Sequence, residues 1–151
     1  MNLGISGSRS NISFDFTAIF SGKNKEFNEF TDRQQIESII TGGARGIDRQ
    51  AEICAKKLGI TCKTYLPDYA RFSKGAPMKR NRAIVESTDA LLVIWNGSSN
   101  SRGTIYTACY ALQTGKPVFV ILEEGKNIKR CIGSIHSSAI FTAAENQPMQ
   151  T

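Results

Sequence analysis

Three short segments are rich in glycine and other small residues, and each carries a single arginine: residues 4–9, 42–46 and 97–104. Glycine in a turn lets backbone N–H groups approach a bound group closely, and a guanidinium can hold two oxygens of a phosphate or carboxylate at once. The arginines in these segments are Arg9, Arg45 and Arg102. A single turn of this kind can contain glycine only because its backbone geometry requires it, with no ligand involved. Because the pattern recurs, it predicts a binding site for an anionic ligand.

A fourth basic segment, residues 79–82, reads Lys-Arg-Asn-Arg and falls in the first turns of a helix that Pro77 is predicted to open. Cations near a helix N-terminus oppose the helix dipole, at a cost of up to about 1 kcal/mol each. An anion bound nearby would neutralise these charges, so the segment extends the predicted site. The alternative interpretation is a basic helix face that only solvent covers.

Common nucleotide motifs are absent from the chain. No Gly-Lys-Ser or Gly-Lys-Thr completes a P-loop and no G-x-G-x-x-G run occurs, so neither Mg-ATP hydrolysis nor NAD-dependent redox chemistry has support. The 4 cysteines form no C-x-x-C pair and His136 is the single histidine, which leaves no metal-ligand spacing. We therefore expect reduced cysteines, no metal site and no cofactor.

The elements that position these segments alternate between strand and helix. Apolar runs predict strands at residues 3–6, 36–41, 60–66, 90–95 and 117–122. Apolar spacing and capping signals predict helices at residues 47–58, 77–87 and 104–114, and an interrupted helix between residues 10 and 35 with its break at 21–24. Two of the strands are apolar on both faces, as in parallel sheets. The order predicts a single α/β domain over residues 1–151, with a Rossmann-like open, mostly parallel sheet and helices on both faces.

All three glycine segments follow a predicted strand and lead towards a helix, so they share the carboxyl edge of the sheet. In open parallel sheets, ligands bind at that edge where the strand order reverses.

The alternation of strand and helix patterns is weaker near the end of the chain, where residues 138–142 are predicted as an edge strand and residues from about 143 to 151 as a frayed tail.

The chain has 151 residues, with 19 Lys and Arg against 13 Asp and Glu and a formal net charge of +6. Its length predicts one domain, and its charge favours anionic partners such as nucleotides or nucleic acid. No apolar run approaches the roughly 18 residues of a membrane span, and the first residues lack the pattern of a secretory leader. We expect a cytoplasmic protein without a membrane partner.

Several strings in the chain resemble the SLOG superfamily: Gly-Gly-Ala-Arg-Gly-Ile-Asp at residues 42–48, Arg-Asn-Arg-Ala-Ile at 80–84, Ser-Arg-Gly-Thr at 101–104 and Gly-Lys-Pro-Val-Phe-Val at 115–120. This Rossmann-like group includes the cytokinin-activating LOG phosphoribohydrolases and the DNA-processing protein A (Smf) recombination mediators. The first two strings are most similar to the recombination mediators, and the stand-alone size resembles the small YspA-like members. The resemblance covers about residues 3–122. It implies a phosphate or nucleotide site and a homo-oligomer, expected to be a dimer.

The glycine segments and the resemblance together predict the ligand-binding residues. They are Gly7, Ser8, Arg9, Gly42, Gly43, Ala44, Arg45, Gly46, Arg80, Asn81, Ser101, Arg102, Gly103 and Thr104. The resemblance also implies that Thr107 stands where the phosphoribohydrolases carry a catalytic glutamate. Asp48 is then the nearest candidate for a catalytic acid. The interpretation that we favour for Asp48 is a carboxylate that stabilises the start of its helix.

Functions from different classes fit these residues. The first is a module that binds a nucleotide or a phosphorylated small molecule through the glycine segments and Arg80. The second is a recombination mediator that binds single-stranded DNA along its basic edge, and a weaker third alternative is a nucleotide N-glycosidase. Candidate rings for stacking on a base are Tyr69, Phe72, Trp95 and Tyr106. Trp95 closes an apolar strand and is expected in the core instead.

Overall fold

The computed structural model describes residues 1–9, 13–98, 100–122 and 128–131. Its strands are β1 (Asn2–Gly7), β2 (Ser38–Thr41), β3 (Thr61–Thr64), β4 (Ala90–Trp95), β5 (Val118–Leu122) and β6 (Ile128–Cys131). Its helices are α1 (Thr17–Phe20), α2 (Lys25–Phe30), α3 (Ile47–Lys57), α4 (Tyr69–Phe72), α5 (Ala76–Ser87) and α6 (Arg102–Gln113). A single 3-10 turn, Ser73–Gly75, joins α4 to α5.

The strands form one open sheet in the order β3-β2-β1-β4-β5-β6. Strands β1 to β5 are parallel, and β6 pairs antiparallel with β5. Because β1 lies between β2 and β4, the chain reverses its direction of travel across the sheet between these strands. The register there aligns Gly7 with Ile94, so β1 and β4 end side by side. The prediction of a Rossmann-like α/β domain with a mostly parallel sheet is confirmed.

Both faces of the sheet are covered, as the two-sided apolar strands predict. Every residue of β4 is buried. Leu92 and Ile94 face a core that includes Phe16 and Ile47, from the side of α1, α2 and α3. The alternate residues of β4, including Trp95, face a second core built with α5 and α6.

The interrupted helix predicted between residues 10 and 35 is confirmed as α1 and α2. Asn24 begins α2 by accepting a hydrogen bond from the Phe27 N–H at 2.9 Å through its side chain. Phe27 and the stacked pair of Phe16 and Phe20 supply this face of the core. Phe16, directly before α1, Phe20 at its end and Phe27 in α2 are therefore core residues.

Element boundaries differ from the predicted ones at exposed ends. Strand β3 ends at Thr64, because it lies at the sheet edge and its residues are mostly exposed. Helix α6 begins at Arg102, before the predicted start at Thr104. Strand β6 was not predicted, and the predicted strand 138–142 and tail 143–151 lie outside the described residues. Within the described ranges, no helix has the length and apolar character needed to cross a membrane.

Candidate functional site

A cleft of about 450 Å³ opens at the carboxyl edge of the sheet, between the segments that follow β1 and β4. This is the position where the strand order reverses, as expected for ligand sites of open parallel sheets. The predicted residues that line it are Gly7, Ser8, Arg9, Ala44, Arg80, Asn81, Ser101, Arg102, Gly103 and Thr104, together with Asp48. Ser6, Asn96 and Asn100 also line the cleft and were not singled out from the sequence. Each of them lies in or directly beside a glycine segment, which is the signal that could have found them.

Ser8 connects the walls of the cleft and is itself buried. Its N–H donates to the Ile94 carbonyl at 3.2 Å, and its hydroxyl accepts from the Asn96 N–H at 3.1 Å. Its carbonyl accepts from the Ile47 N–H at 3.2 Å, where α3 begins. Ser8 therefore joins the segments that follow β1 and β4 to the first residue of α3.

The predicted residues Gly42, Gly43, Arg45 and Gly46 do not line the cleft. Gly46 has a φ of +88°, and a Cβ there would lie 2.6 Å from the Ser8 carbonyl oxygen. Gly43 has a φ of +68°, and a Cβ there would lie 2.7 Å from Thr64 Cγ2. These glycines allow close packing of the loop against β1 and β3, while the Arg45 side chain is exposed.

Gly103 differs from these glycines because its surroundings are open. A Cβ at this position would meet only Asn81 Nδ2, at 3.9 Å. Gly103 lies in the first turn of α6, where the first intrahelical bond runs from the Ile105 N–H to the Ser101 carbonyl. The N–H groups that precede Ile105 in α6 have no partner within the helix, and the side chain of the N-cap residue Ser101 does not bond to them. The absence of a side chain at Gly103 therefore leaves this helix start accessible to a ligand.

The segment that leads into α6 is held by Asn96. Its Oδ1 accepts from the Ser98 N–H at 2.9 Å and from the Ser101 hydroxyl at 2.8 Å. The Trp95 indole N–H donates to the Ser98 carbonyl at 3.0 Å. Trp95 is buried, which confirms the expectation that it belongs to the core. These bonds fix the segment against the end of β4 and aim the start of α6 at the cleft.

Arg80 is half-buried in the wall of the cleft and is bonded to backbone groups. Its Nη1 donates to the Gly42 carbonyl at 2.6 Å and to the Tyr65 carbonyl at 3.4 Å. Its Nε donates to Asn81 Oδ1 at 2.8 Å, and Nη2 takes no part in these bonds. Burial lowers the pKa of Arg80; the charge of Asp48 opposes this effect and the charge of Arg9 adds to it. Arg80 therefore supports the loop after β2 and also contributes positive charge to the cleft.

Asp48 lies in the first turn of α3 and is 7% exposed. Its Oδ2 accepts from the Gly42 N–H at 3.2 Å and from the Ala44 N–H at 3.3 Å. Asp48 thus holds the preceding loop, which is a more specific structural role than the predicted stabilisation of its helix. Burial raises the pKa of the Asp48 carboxyl to about 6, although these N–H groups and Arg80 act in the opposite direction. Among the described residues that line the cleft, Asp48 is the only carboxylate.

The other candidates lie away from the cleft lining. Thr107, which the resemblance aligns with a catalytic glutamate, is buried and donates its hydroxyl to the Gly103 carbonyl at 2.7 Å. Tyr106 accepts a hydrogen bond from Arg82 Nε at 2.6 Å on the outer side of α5 and α6. Tyr69 and Phe72 lie on α4, and both are exposed.

Comparisons with known proteins identify no relative of this chain. No protein-family model, curated protein or solved structure matches the chain. In the part of the chain that the structure describes, no three His, Cys, Asp or Glu side chains come together as a metal site would need.

Proposed function

We propose that this protein binds a nucleotide or another phosphorylated small molecule in the cleft between the ends of β1 and β4. One observation carries the proposal. The cleft brings three arginines, Arg9, Arg80 and Arg102, to the uncapped start of α6. A helix N-terminus and converging guanidinium groups both favour an anion, and together they supply the hydrogen-bond donors that a phosphate accepts.

The electrostatics of the cleft supports an anionic ligand. Arg9 and Arg80 lie close enough for the charge of Arg9 to lower the pKa of Arg80. The first turn of α6 contains no acidic residue, so nothing in that turn neutralises the helix dipole. A bound phosphate would relieve the repulsion between the arginines and satisfy backbone donors in one step.

The size of the cleft is also suitable. Small-molecule sites in proteins commonly have volumes of about 300–1,000 Å³, and the cleft measures about 450 Å³. Glycine and small polar residues line most of it, which suits a phosphate and a sugar better than a large apolar group. Tyr69 and Phe72 on α4 are exposed, and the groove beside Phe72 shares Arg80 with the cleft, so these rings are candidates for stacking on a base.

The strings at residues 42–48 and 101–104 support the further proposal that the chain is a SLOG-like protein. The parallel sheet with β1 between β2 and β4 agrees with any Rossmann-like fold, so the strings rather than the fold carry this step. The dimer implied by the resemblance stays a prediction. Light scattering after size-exclusion chromatography would measure it.

Calorimetric titration with the four ribonucleoside 5′-monophosphates tests the proposed function. We expect saturable binding that Arg102→Ala weakens by about tenfold, since a hydrogen bond to a charged group contributes about 1.5–3 kcal/mol when shielded and less when exposed. Arg82→Ala is the matched control, because Arg82 is an exposed cation of the adjacent helix that lies outside the cleft lining. Equal loss in both variants would show that only the net charge matters and would contradict the proposed site.

Single-stranded DNA binding is the second candidate, favoured by the surface of α4. The Arg71 guanidinium lies 5.3 Å and the Lys79 ammonium 5.4 Å from the centre of the Phe72 ring. Exposed rings flanked by cations are typical of surfaces on which successive bases stack. Arg80 lines both the cleft and the groove beside Phe72, so a strand could run from one to the other.

A further inference from the structure

The carboxyl group of Asp48 is used on one side only. Its Oδ2 accepts two backbone N–H groups, while its Oδ1 is buried and accepts no hydrogen bond from any residue that the structure describes. Buried polar atoms in proteins are nearly always paired, and those that are not mark strained or functional positions. Asp48 also lines the cleft, so the residue that carries this buried oxygen belongs to the wall of the proposed ligand site.

Arg80 does not neutralise this oxygen through an ion pair. Its Nε and Nη1 are bonded to Asn81 and to backbone carbonyls, and no described residue forms a salt bridge with Asp48. The free oxygen is therefore an unused hydrogen-bond acceptor on a residue of the cleft lining, and the other charged side chains of that lining, among the described residues, are cations. A phosphate would be repelled by the ionised carboxylate, whereas a hydroxyl group would be held by it.

We infer that Asp48 Oδ1 accepts a hydrogen bond from a sugar hydroxyl of the ligand, and that the ligand class is a ribosyl phosphate. This inference rests on the proposed function, because the phosphate must lie at the arginines and the start of α6 for the sugar to reach Asp48. Asp48 is in this role a specificity-determining residue: it discriminates between ligands with and without a hydroxyl at that place.

The surroundings of Asp48 favour a sugar over a base at this position. Ala44, whose N–H donates to Asp48, is small, as are Gly7 and Ser8 in the lining, and no aromatic side chain lines the cleft among the described residues. A base needs a flat apolar or aromatic surface, and the exposed rings of Tyr69 and Phe72 lie on α4 outside the lining. The polar floor at Asp48 therefore suits the sugar, with the base directed outwards.

The test compares ligands that differ only in hydroxyl groups. The tightest of the four ribonucleoside 5′-monophosphates, its 2′-deoxy and 2′,3′-dideoxy analogues and inorganic phosphate are titrated into the parent protein at pH 8. We expect the dideoxy analogue to bind about 10- to 100-fold more weakly than the ribonucleotide, as the loss of a hydrogen bond to a charged group predicts. Equal affinity of the two would overturn the inference and leave the proposed nucleotide site standing.

Asp48→Asn assigns the effect to this residue. An amide can keep its carbonyl oxygen on the Gly42 and Ala44 N–H groups and places an NH₂ where Oδ1 lies, so the acceptor becomes a donor. We expect the ribonucleotide affinity to fall to about that of the dideoxy analogue, while inorganic phosphate binds no more weakly. Asp15→Asn, at an exposed carboxylate outside the cleft, is the control for net charge and keeps the parent's preference.

The remaining outcomes are also decisive. Tighter binding of both phosphate and dideoxynucleotide by Asp48→Asn than by Asp15→Asn, with the hydroxyl preference kept, would show that Oδ1 faces the phosphate and would overturn the inference. No binding of any ribonucleotide or of phosphate would overturn it together with the proposed function.

If Asp48→Asn does not fold, the pH dependence of the parent protein replaces it. Protonation of Asp48 removes the charged acceptor, so the parent's preference for the ribonucleotide over the dideoxy analogue must fall between pH 8 and pH 5. A constant preference overturns the inference. The ligand phosphate titrates alike in both analogues, and Arg80 and Glu52 are the charged groups that act on Asp48.

Discussion

Asp48 and Arg80 hold the same residue, Gly42, from its two backbone groups. Asp48 Oδ2 accepts the Gly42 N–H at 3.2 Å, and Arg80 Nη1 donates to the Gly42 carbonyl at 2.6 Å. The space around Gly42 is filled by this arrangement, since a Cβ there would lie 2.7 Å from Arg80 Nη1. The two charged side chains thus fix the loop after β2 through its backbone, and each also faces the cleft. If the cleft binds a ligand as proposed, the same two residues serve both stability and binding.

The first prediction concerns Arg80→Ala. The sequence suggests a surface arginine whose removal leaves folding nearly intact, but the structure shows a half-buried side chain that donates to Gly42 and Tyr65. Removing it leaves these carbonyls without their donor, which typically costs about 1–3 kcal/mol. We expect the free energy of unfolding to fall by that amount in urea titrations, and to fall less for Arg82→Ala. A common midpoint for the two variants would show that the Arg80 bonds add nothing to stability.

The second prediction follows from the raised pKa of Asp48, about 6 in the folded chain against 3.8 for the free group. Between these values the folded protein binds the proton more tightly than the unfolded chain, so this group lowers the free energy of unfolding as the pH rises from about 4 to about 6. The asparagine of Asp48→Asn does not titrate, so the variant does not lose stability in this way as the pH rises.

The measurement is the stability of Asp48→Asn relative to the parent, by urea unfolding at several pH values. One pKa unit corresponds to about 1.4 kcal/mol, so the difference should move in favour of the variant by up to about 3 kcal/mol between pH 4 and pH 8. Asp15 has a lowered pKa in the folded parent protein. The Asp15→Asn variant should therefore show no such gain in stability, relative to the parent, as the pH rises. A flat difference for Asp48→Asn would contradict a buried carboxylate.

The third prediction separates two glycines that both have a positive φ. Gly46 has a φ of +88° and Gly59 a φ of +70°, both in the region that side chains rarely adopt. A Cβ at Gly46 would lie 2.6 Å from the Ser8 carbonyl oxygen, whereas nothing lies within 4 Å of one at Gly59. Gly59→Ala should therefore cost about 1–2 kcal/mol from backbone strain alone.

Gly46→Ala should cost more than Gly59→Ala, because the Gly46 backbone, with φ of +88° and ψ of −127°, is a conformation nearly restricted to glycine and because the loop must also move away from Ser8. That movement would disturb the bond from the Ile47 N–H to the Ser8 carbonyl, where α3 meets the segment after β1. Thermal unfolding of both variants and nucleotide titration of whichever folds are the measurements. Equal losses of stability would mean that the loop yields without resistance.

Much of the fold could be predicted from local pattern, and the details of the site could not. Strand β4 is apolar at every position, which alone predicts coverage on both faces. The glycine segments could be assigned to one sheet edge because each follows a strand. The bond from Arg80 to Gly42 joins residues 38 positions apart, so no spacing in the sequence indicates that this arginine supports a loop. In the same way, glycine at residue 46 is required by the Ser8 carbonyl, which only the packed structure brings near.

The last prediction distinguishes a mononucleotide site from a single-stranded DNA site by salt dependence. On single strands the slope of log affinity against log salt is about −0.7 per phosphate neutralised, so four or five contacts would give a slope of about −3. A mononucleotide engages one or two phosphates and should respond less to salt and more to the identity of its base. We expect the mononucleotide behaviour, because Arg9, Arg80 and Arg102 converge on one cleft. Fluorescence anisotropy with a labelled oligonucleotide at several salt concentrations is the measurement, and Phe72→Ala tests the adjoining surface. Submicromolar oligonucleotide binding at near-physiological salt, with the steep slope and a loss in Phe72→Ala, would favour the DNA function instead.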